Sequence, residues 1–99
     1  MIIRIVKMVF QKETAEDFIP LFGEIQSTIE NFKGCKKVML LRDTQNTGIF
    51  FTYSIWDSAE SLEEYRNSTF FKNTWRKTKS MFAKPAEAWS LKEEMIIPL

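Results

Sequence analysis

The sequence predicts an α+β fold, with an antiparallel sheet of four strands covered by helices on one face. Segments rich in β-branched and aromatic residues alternate with segments of helical periodicity. Their order is β-α-β-β-α-β, and only a cluster of turn formers separates the two central strands. The chain has 99 residues, so we expect a single domain over residues 1–99.

The first predicted strand is Ile2–Phe10, which is rich in β-branched residues. Apolar residues occupy both its odd and its even positions, so we expect both of its faces to be covered. Arg4 and Lys7 interrupt the strand at positions of opposite parity. At most one of these two cations can therefore face a given cavity.

The first predicted helix begins near Thr14, because Thr14 and Asp17 resemble a capping box at a helix start. Apolar residues then recur at helical spacing in one stripe. The stripe consists of Phe18, Phe22, Ile25 and Ile29. Pro20 removes a backbone hydrogen bond, so we expect a kink or a tight first turn near it. Gly34 can adopt the left-handed conformation that ends a helix.

A hairpin is predicted next. Cys35–Arg42 and Ile49–Trp56 read as strands, and the turn formers of Asp43–Gly48 join them. The two strands should therefore pair in antiparallel fashion. Asp57 or Ser58 should cap the helix that follows.

The last third of the chain reads as helix and then strand. We expect the second helix to bend at Asn67–Thr69 and to continue over Phe70–Phe82. Pro85 should end it. Ala86–Lys92 alternates in the way that is typical of an edge strand, and Met95–Leu99 is a short apolar tail without an assigned role.

This order is the ferredoxin-like arrangement, in which both helices cover one face of the sheet. The strands Ile2–Phe10 and Ile49–Trp56 are nevertheless apolar on both faces. The second face must meet another surface, and a second copy of the chain is the simplest partner. We therefore predict a homodimer in which two sheets pack face to face.

The composition excludes several classes of function. The chain has no histidine, the usual general base and the commonest metal ligand, so we expect no metal and no cofactor. With 14 basic and 13 acidic residues, its charge of +1 gives no field for nucleic acid. No stretch approaches the ~20 apolar residues of a membrane span. Cys35 is the only cysteine, which favours a reducing cytoplasm.

Several short motifs resemble those of the antibiotic biosynthesis monooxygenase family. They are Gly34 and Cys35, Asp43, the run Trp56–Glu60, and Tyr65, Ser68 and Phe71. The resemblance covers Met1 to about Lys92 and implies a dimeric α+β barrel. Members of this family include cofactor-independent monooxygenases of polycyclic phenols and quinones, haem-degrading monooxygenases, a signal-processing branch and proteins without assigned activity.

The haem-degrading branch uses an Asn, a Trp and an axial His. The corresponding positions here are Val6, Tyr65 and Trp75, and none of them matches. Since the chain has no histidine, we expect no haem degradation. The phenol and quinone branch stays open, because its substrate forms an anion that reacts directly with oxygen.

The candidate site is an apolar pocket between helices and sheet. The enzyme hypothesis gives Tyr65 and Arg4 catalytic roles, the first positioning the substrate and the second stabilising its anion. The candidate pocket residues are Val6, Met8, Phe22, Tyr53 and Trp75. The expected partner is a small hydrophobic or aromatic molecule.

Three readings stay open at this point. Besides the enzyme, the chain could be a non-catalytic binding or stress-response dimer, or a structural dimer without a pocket. Trp75 and Phe22 at helical spacing are typical of core residues, and Arg4 could form a salt bridge instead. Cys35 reads as a buried, inert thiol. The basic residues Lys72, Arg76, Lys77, Lys79 and Lys84 read as a solvated helix face.

Overall fold

A computed structural model describes residues 1–95 of the chain. The elements are β1 (Ile2–Phe10), α1 (Ala15–Glu30), β2 (Cys35–Arg42), β3 (Ile49–Trp56), α2 (Ala59–Arg66), α3 (Thr69–Lys79) and β4 (Phe82–Leu91). Over these residues the strands form an antiparallel sheet in the order β2-β3-β1-β4. The predicted α+β, ferredoxin-like fold is therefore confirmed.

The core lies between the helices and one face of the sheet, which we call the inner face. Met8, Phe50 and Trp56 are on this face, and each is only 1% exposed. Helix α1 adds Phe18 and Phe22, and the Phe18 ring stacks on Phe10 with 4.6 Å between centroids. The apolar stripe of α1 therefore packs as its helical spacing predicted.

The opposite face, which we call the outer face, carries no helix among residues 1–95. Strand pairing places apolar side chains across it. They are Ile3, Ile5, Val9, Met39, Leu41, Ile49, Phe51, Tyr53, Ile55, Trp89 and Leu91. Leu41, Trp89 and Leu91 are 43–45% exposed, an unusual density of large apolar side chains on a surface.

The start of α1 differs from the predicted capping box. The Thr14 hydroxyl accepts no backbone hydrogen bond there and instead donates to the carbonyl oxygen of Met81, 2.7 Å away. The chain is already turning before the helix, and the Ala15 N–H bonds the carbonyl oxygen of Gln11. The hydrogen bond from Thr14 to Met81 joins the start of α1 to the turn between α3 and β4. The spacing of residues around Thr14 does not reveal such a long-range contact. Pro20 is exposed, and α1 runs through it as one helix.

The predicted bend at Asn67–Thr69 is a complete break between α2 and α3. Ser58 caps α2 by accepting a hydrogen bond from the Ser61 N–H at 3.1 Å. Ser68 caps α3 in the same way from the Phe71 N–H at 3.0 Å. A second cap of this strength starts a new helix rather than bending the old one.

The predicted helix over Phe70–Phe82 is wrong at its end. Helix α3 stops at Lys79, and Phe82 to Pro85 belong to β4. Pro85 is accommodated because β4 is an edge strand and its register with β1 shifts there, Lys7 facing Glu87 and Val9 facing Lys84. Phe82 fits the apolar spacing of the predicted helix, but it is the first residue of β4 and its ring packs on Phe10.

Gly34 adopts the predicted left-handed conformation, with φ of 84°. Its carbonyl oxygen accepts a hydrogen bond from the Asp57 N–H at 2.8 Å, so it joins the start of β2 to the start of α2. No helix within residues 1–95 is long and apolar enough to cross a membrane. Of the apolar tail predicted at Met95–Leu99, residues 96–99 lie outside the described part of the chain.

Candidate functional site

A cavity of about 390 Å³ lies between the inner face and the helices. The sheet contributes Arg4, Val6, Met8, Trp56, Ala86 and Ala88 to its lining. The helices contribute Phe22, Leu62, Tyr65, Phe71 and Trp75. A cavity of this size with mostly apolar walls and few polar groups is typical of small-molecule sites.

The cavity exists because β4 presents small side chains to the inner face. Ala86 and Ala88 line it, and Ala88 lies opposite Val6 of β1. Alanine fills little of the space that a larger core residue would take. Ala88 and Arg66 are exposed although they line the cavity, so the cavity opens to solvent beside them.

Tyr65 is held in place by aromatic neighbours. Its ring stacks on Trp56 at 4.9 Å between centroids and meets Phe32 and Phe71 edge-on, each at 5.0 Å. Burial raises the pKa of Tyr65 far above its ordinary value. The phenol therefore stays protonated near neutral pH, a state in which it can donate a hydrogen bond and cannot act as a base.

Arg4 reaches the same cavity from β1. It is half-buried, and its guanidinium donates a hydrogen bond to the Ser90 hydroxyl at 2.9 Å. Burial, and then the positive charge of Arg66, lower the pKa of Arg4, but an arginine remains charged in this range. Lys7 lies on the outer face, where it forms an ion pair with Glu87 at 3.9 Å. The opposite parity of the two cations thus places only Arg4 at the cavity.

The structure brings most of the sequence-predicted site residues together. Arg4, Val6, Met8, Phe22, Tyr65 and Trp75 all line the one cavity. Tyr53 does not, and its expected place in the pocket is corrected. It lies on the outer face, opposite Ile5 and Met39, because β3 turns its even-numbered residues inward. Its neighbours along β3, Thr52 and Ser54, occupy the inward positions and line the cavity instead.

Sequence reasoning missed three features of the lining. Arg66 ends α2 beside Arg4, and nothing in its local pattern separates it from an ordinary solvated arginine. Ser54 is 7% exposed, and its hydroxyl accepts a hydrogen bond from the Trp56 indole N–H at 3.0 Å. The third feature is the pair of small side chains of Ala86 and Ala88 in β4. The sequence signal for it was the recurrence of small residues at Ala86, Ala88 and Ser90, every second position of one strand, since small residues on one face leave space.

Within residues 1–95 no group of three or more His, Cys, Asp or Glu side chains could hold a metal. Cys35 is half-buried, and burial raises the pKa of its thiol, which disfavours the reactive thiolate. The predicted basic helix face is formed by Lys72, Arg76, Lys77 and Lys79 of α3, whereas Lys84 belongs to β4, and all five residues are exposed to solvent. None of these groups extends the chemistry of the cavity.

Comparison with solved structures gives close matches of the whole fold. A protein from Deinococcus radiodurans, assigned to the antibiotic biosynthesis monooxygenases, superposes with a TM-score of 0.89 at 15% identity, over 100% of this chain and 98% of that chain. A conserved protein from Methanosarcina mazei Go1 gives a TM-score of 0.87 at 20% identity, over 95% and 94%. At such identities the likeness concerns the fold alone.

The sequence itself supplies the family. No curated protein matches the chain. The family described as antibiotic biosynthesis monooxygenase, however, matches residues 1–77. This range includes β1, α1, the hairpin strands β2 and β3, α2 and most of α3. The chain therefore belongs to the antibiotic biosynthesis monooxygenase family.

Proposed function

We propose that this protein binds a small aromatic molecule in the cavity and oxygenates it without a cofactor. One observation carries the proposal: a cavity of about 390 Å³ with aromatic walls, whose ionisable groups are Arg4, Tyr65 and Arg66. At the packing density of organic crystals, this volume holds a ligand of roughly 15 to 20 non-hydrogen atoms, the size of three fused rings. Family membership supports the oxygenation.

The chemistry requires a substrate whose anion reacts with oxygen directly. In an anthrone-type substrate, the ring CH₂ loses a proton to solvent, and the resulting carbanion adds O₂ to form a carbon–oxygen bond. The peroxide then takes up a proton. Loss of the second C–H proton breaks the O–O bond, leaving a carbonyl on the ring and releasing hydroxide, which is protonated to water. The CH₂ group loses four electrons, and O₂ accepts all four.

The cavity residues suit this reaction through charge and position. The positive charge of Arg4 at the cavity favours the anionic form of a bound substrate, which lowers the pKa of the substrate. Tyr65 stays protonated and can donate a hydrogen bond to the substrate oxygen. Trp75, stacked on Phe71 with 6.0 Å between centroids, and Phe22 present apolar surface to the rings.

Oxygen uptake with anthrone tests the proposal. The protein should accelerate O₂ consumption and anthraquinone formation in a one-to-one ratio, above both a no-protein and a heat-denatured control. Arg4→Met should slow turnover by about 10- to 100-fold because it removes the charge that stabilises the anion. Tyr65→Phe should weaken binding by ~1 kcal/mol, the net contribution of one hydrogen bond. Uptake no faster than in the controls would reject the oxygenation.

One observation favours a second candidate, a binding protein without catalysis. Among the described residues that line the cavity there is no carboxylate, and Tyr65 is held protonated, so the lining offers no general base. This candidate predicts saturable binding of hydroxylated naphthalenes or anthraquinones, read by fluorescence of Trp56 and Trp75, without any oxygen uptake. The third reading, a structural dimer with no pocket, does not agree with the cavity.

We also propose that the protein is a homodimer built on the outer face. The apolar side chains of that face support this, because an open sheet surface of this kind is stable when a second sheet covers it. Such an interface should bury more than ~2,000 Å² in total. Tyr53 would then serve the interface instead of the pocket.

Sedimentation at micromolar concentration tests the dimer. The wild-type chain should sediment at twice its monomer mass of 11.7 kDa. Phe51→Lys puts a charge at the centre of the outer face beside Lys7 and should give monomers. Ile19→Lys is the matched control, since Ile19 is an exposed apolar residue of α1, 41% accessible, away from the sheet. A monomeric wild type, or a dimer broken by Ile19→Lys and not by Phe51→Lys, would contradict the arrangement.

A further inference from the structure

The open end of the cavity holds two guanidinium groups. Arg4 comes from β1 and Arg66 from the last turn of α2, and both line the cavity. Arg4 lies beside Ser54 and Ser90 in the sheet register, on the inner face. Two cations that converge on a largely apolar cavity are uncommon unless something negative balances them.

The ion pairs of the structure leave one of these charges unbalanced. Glu63 lies 3.4 Å from Arg66, and it also accepts a hydrogen bond from the Asn67 side chain, which fixes its orientation. Among residues 1–95, no carboxylate lies within ion-pair distance of Arg4. Its guanidinium bonds only the neutral Ser90 hydroxyl. The cavity opening therefore carries two positive charges and one negative charge.

Burial makes this imbalance significant. Arg4 is half-buried among apolar cavity walls, where a charge is stabilised less by water than at the surface. This burial, together with the positive charge of Arg66, also lowers the pKa of Arg4. Of its five N–H donors, the single bond to Ser90 leaves a pair free for a planar acceptor.

We infer that the molecule bound in the cavity carries a carboxylate, which lies between Arg4 and Arg66 while its rings occupy the apolar interior. The inference rests on the proposed function, because it takes the cavity as the binding site. A carboxylate matches the planar fork of a guanidinium and supplies the one negative charge that the opening lacks. A phosphate monoester would bring nearly two charges and leave an excess in an apolar setting. The ligand class is thus a hydroxylated aromatic carboxylic acid of two or three rings.

Matched probes test the charge separately from the rings. Calorimetric titration at low ionic strength would compare 2-naphthoate with 2-naphthamide, which has nearly the same shape and no charge. The wild-type protein should bind 2-naphthoate at least 10-fold more tightly. Arg4→Met and Arg66→Met should each remove most of this preference and change 2-naphthamide binding by less than 3-fold, which also shows that the variants are folded.

Arg76→Met is the control, because Arg76 is an exposed residue of α3 that does not line the cavity. It should leave the preference unchanged. Equal binding of the two probes to the wild type, or a preference that survives Arg4→Met, would overturn the carboxylate inference and leave the cavity as an aromatic site. Binding of neither probe would overturn both the inference and the proposed function.

Discussion

Two glycines offer opposite predictions for the same substitution. Gly34 lies between the end of α1 and β2 with φ of 84°, where a side chain is strained. A methyl group there would overlap Asp57 Oδ1 and, more seriously, Ser61 Oγ and Cβ, which belong to α2. Gly23 lies inside α1, with no atom near the place where a methyl group would go.

The structure sets the size of each effect. The left-handed conformation costs an L-residue about 1–2 kcal/mol, and forcing α2 away from its site costs a further ~1–3 kcal/mol. Gly34→Ala should therefore lower the free energy of unfolding by about 3 kcal/mol, or the Tm by roughly 12–24 °C in a chain of this size. Gly23→Ala should raise the free energy of unfolding by ~0.5–1 kcal/mol, because alanine loses less backbone entropy in a helix.

Thermal unfolding followed by circular dichroism, at one fixed protein concentration, measures both variants against the wild type. The concentration is fixed because a dimer unfolds at a temperature that depends on it. Gly34→Ala should also weaken ligand binding, since α2 carries Leu62 and Tyr65 into the cavity. A Gly34→Ala protein as stable as Gly23→Ala would refute the assigned backbone strain and the contact with Ser61.

Three further outcomes are expected. Ala86→Leu should fill roughly 80 Å³ of the cavity, stabilising the fold by up to ~2 kcal/mol in thermal unfolding while weakening naphthalene binding; unchanged binding would place the ligand elsewhere. The raised pKa of Tyr65 means that stability is complete below the unfolded tyrosine pKa of about 10 and falls as the pH rises above it. Tyr65→Phe should therefore lose less stability than the wild type between about pH 9 and 11 in urea unfolding, and parallel curves would count against the burial of the phenol. With hemin and a reductant, the protein should bleach the Soret band no faster than buffer, because the chain has no histidine to ligate the iron.

The sequence predicted the bounds of the first three strands better than those of the last helix and strand, and the reasons are physical. Ile2–Phe10, Cys35–Arg42 and Ile49–Trp56 were predicted with the bounds that the structure gives them, because period-two patterns and turn residues are local signals. Phe82 was assigned to the helix since it lies seven residues, about two helical turns, after Trp75 and so falls on the same helix side. Its true place is decided by pairing with Phe10, a residue more than seventy positions away.

The cavity residues could be predicted only where the sequence shows which face of a strand turns inward. Val6 and Met8 lie at even positions of β1, as Arg4 does, so once one of these residues faces the cavity the other two must face it as well. Tyr53 was misplaced because an apolar strand such as β3 does not reveal which of its faces turns inward. Arg66 could not be found from sequence at all, since its role depends on the way α2 lies across the sheet.

Strand β3 connects the two surfaces on which the proposed function depends. Its even residues Thr52, Ser54 and Trp56 line the cavity, and its odd residues, such as Phe51 and Tyr53, form the outer face. A partner sheet packed on the odd residues would hold β3 and β1 rigid, and with them Arg4 on the opposite side. Because a packed sheet transmits displacement, dimer formation should favour ligand binding. The Phe51→Lys variant should accordingly bind 2-naphthoate more weakly than the wild type, although Phe51 does not line the cavity. Equal affinity in monomer and dimer would show that the cavity is complete within a single chain.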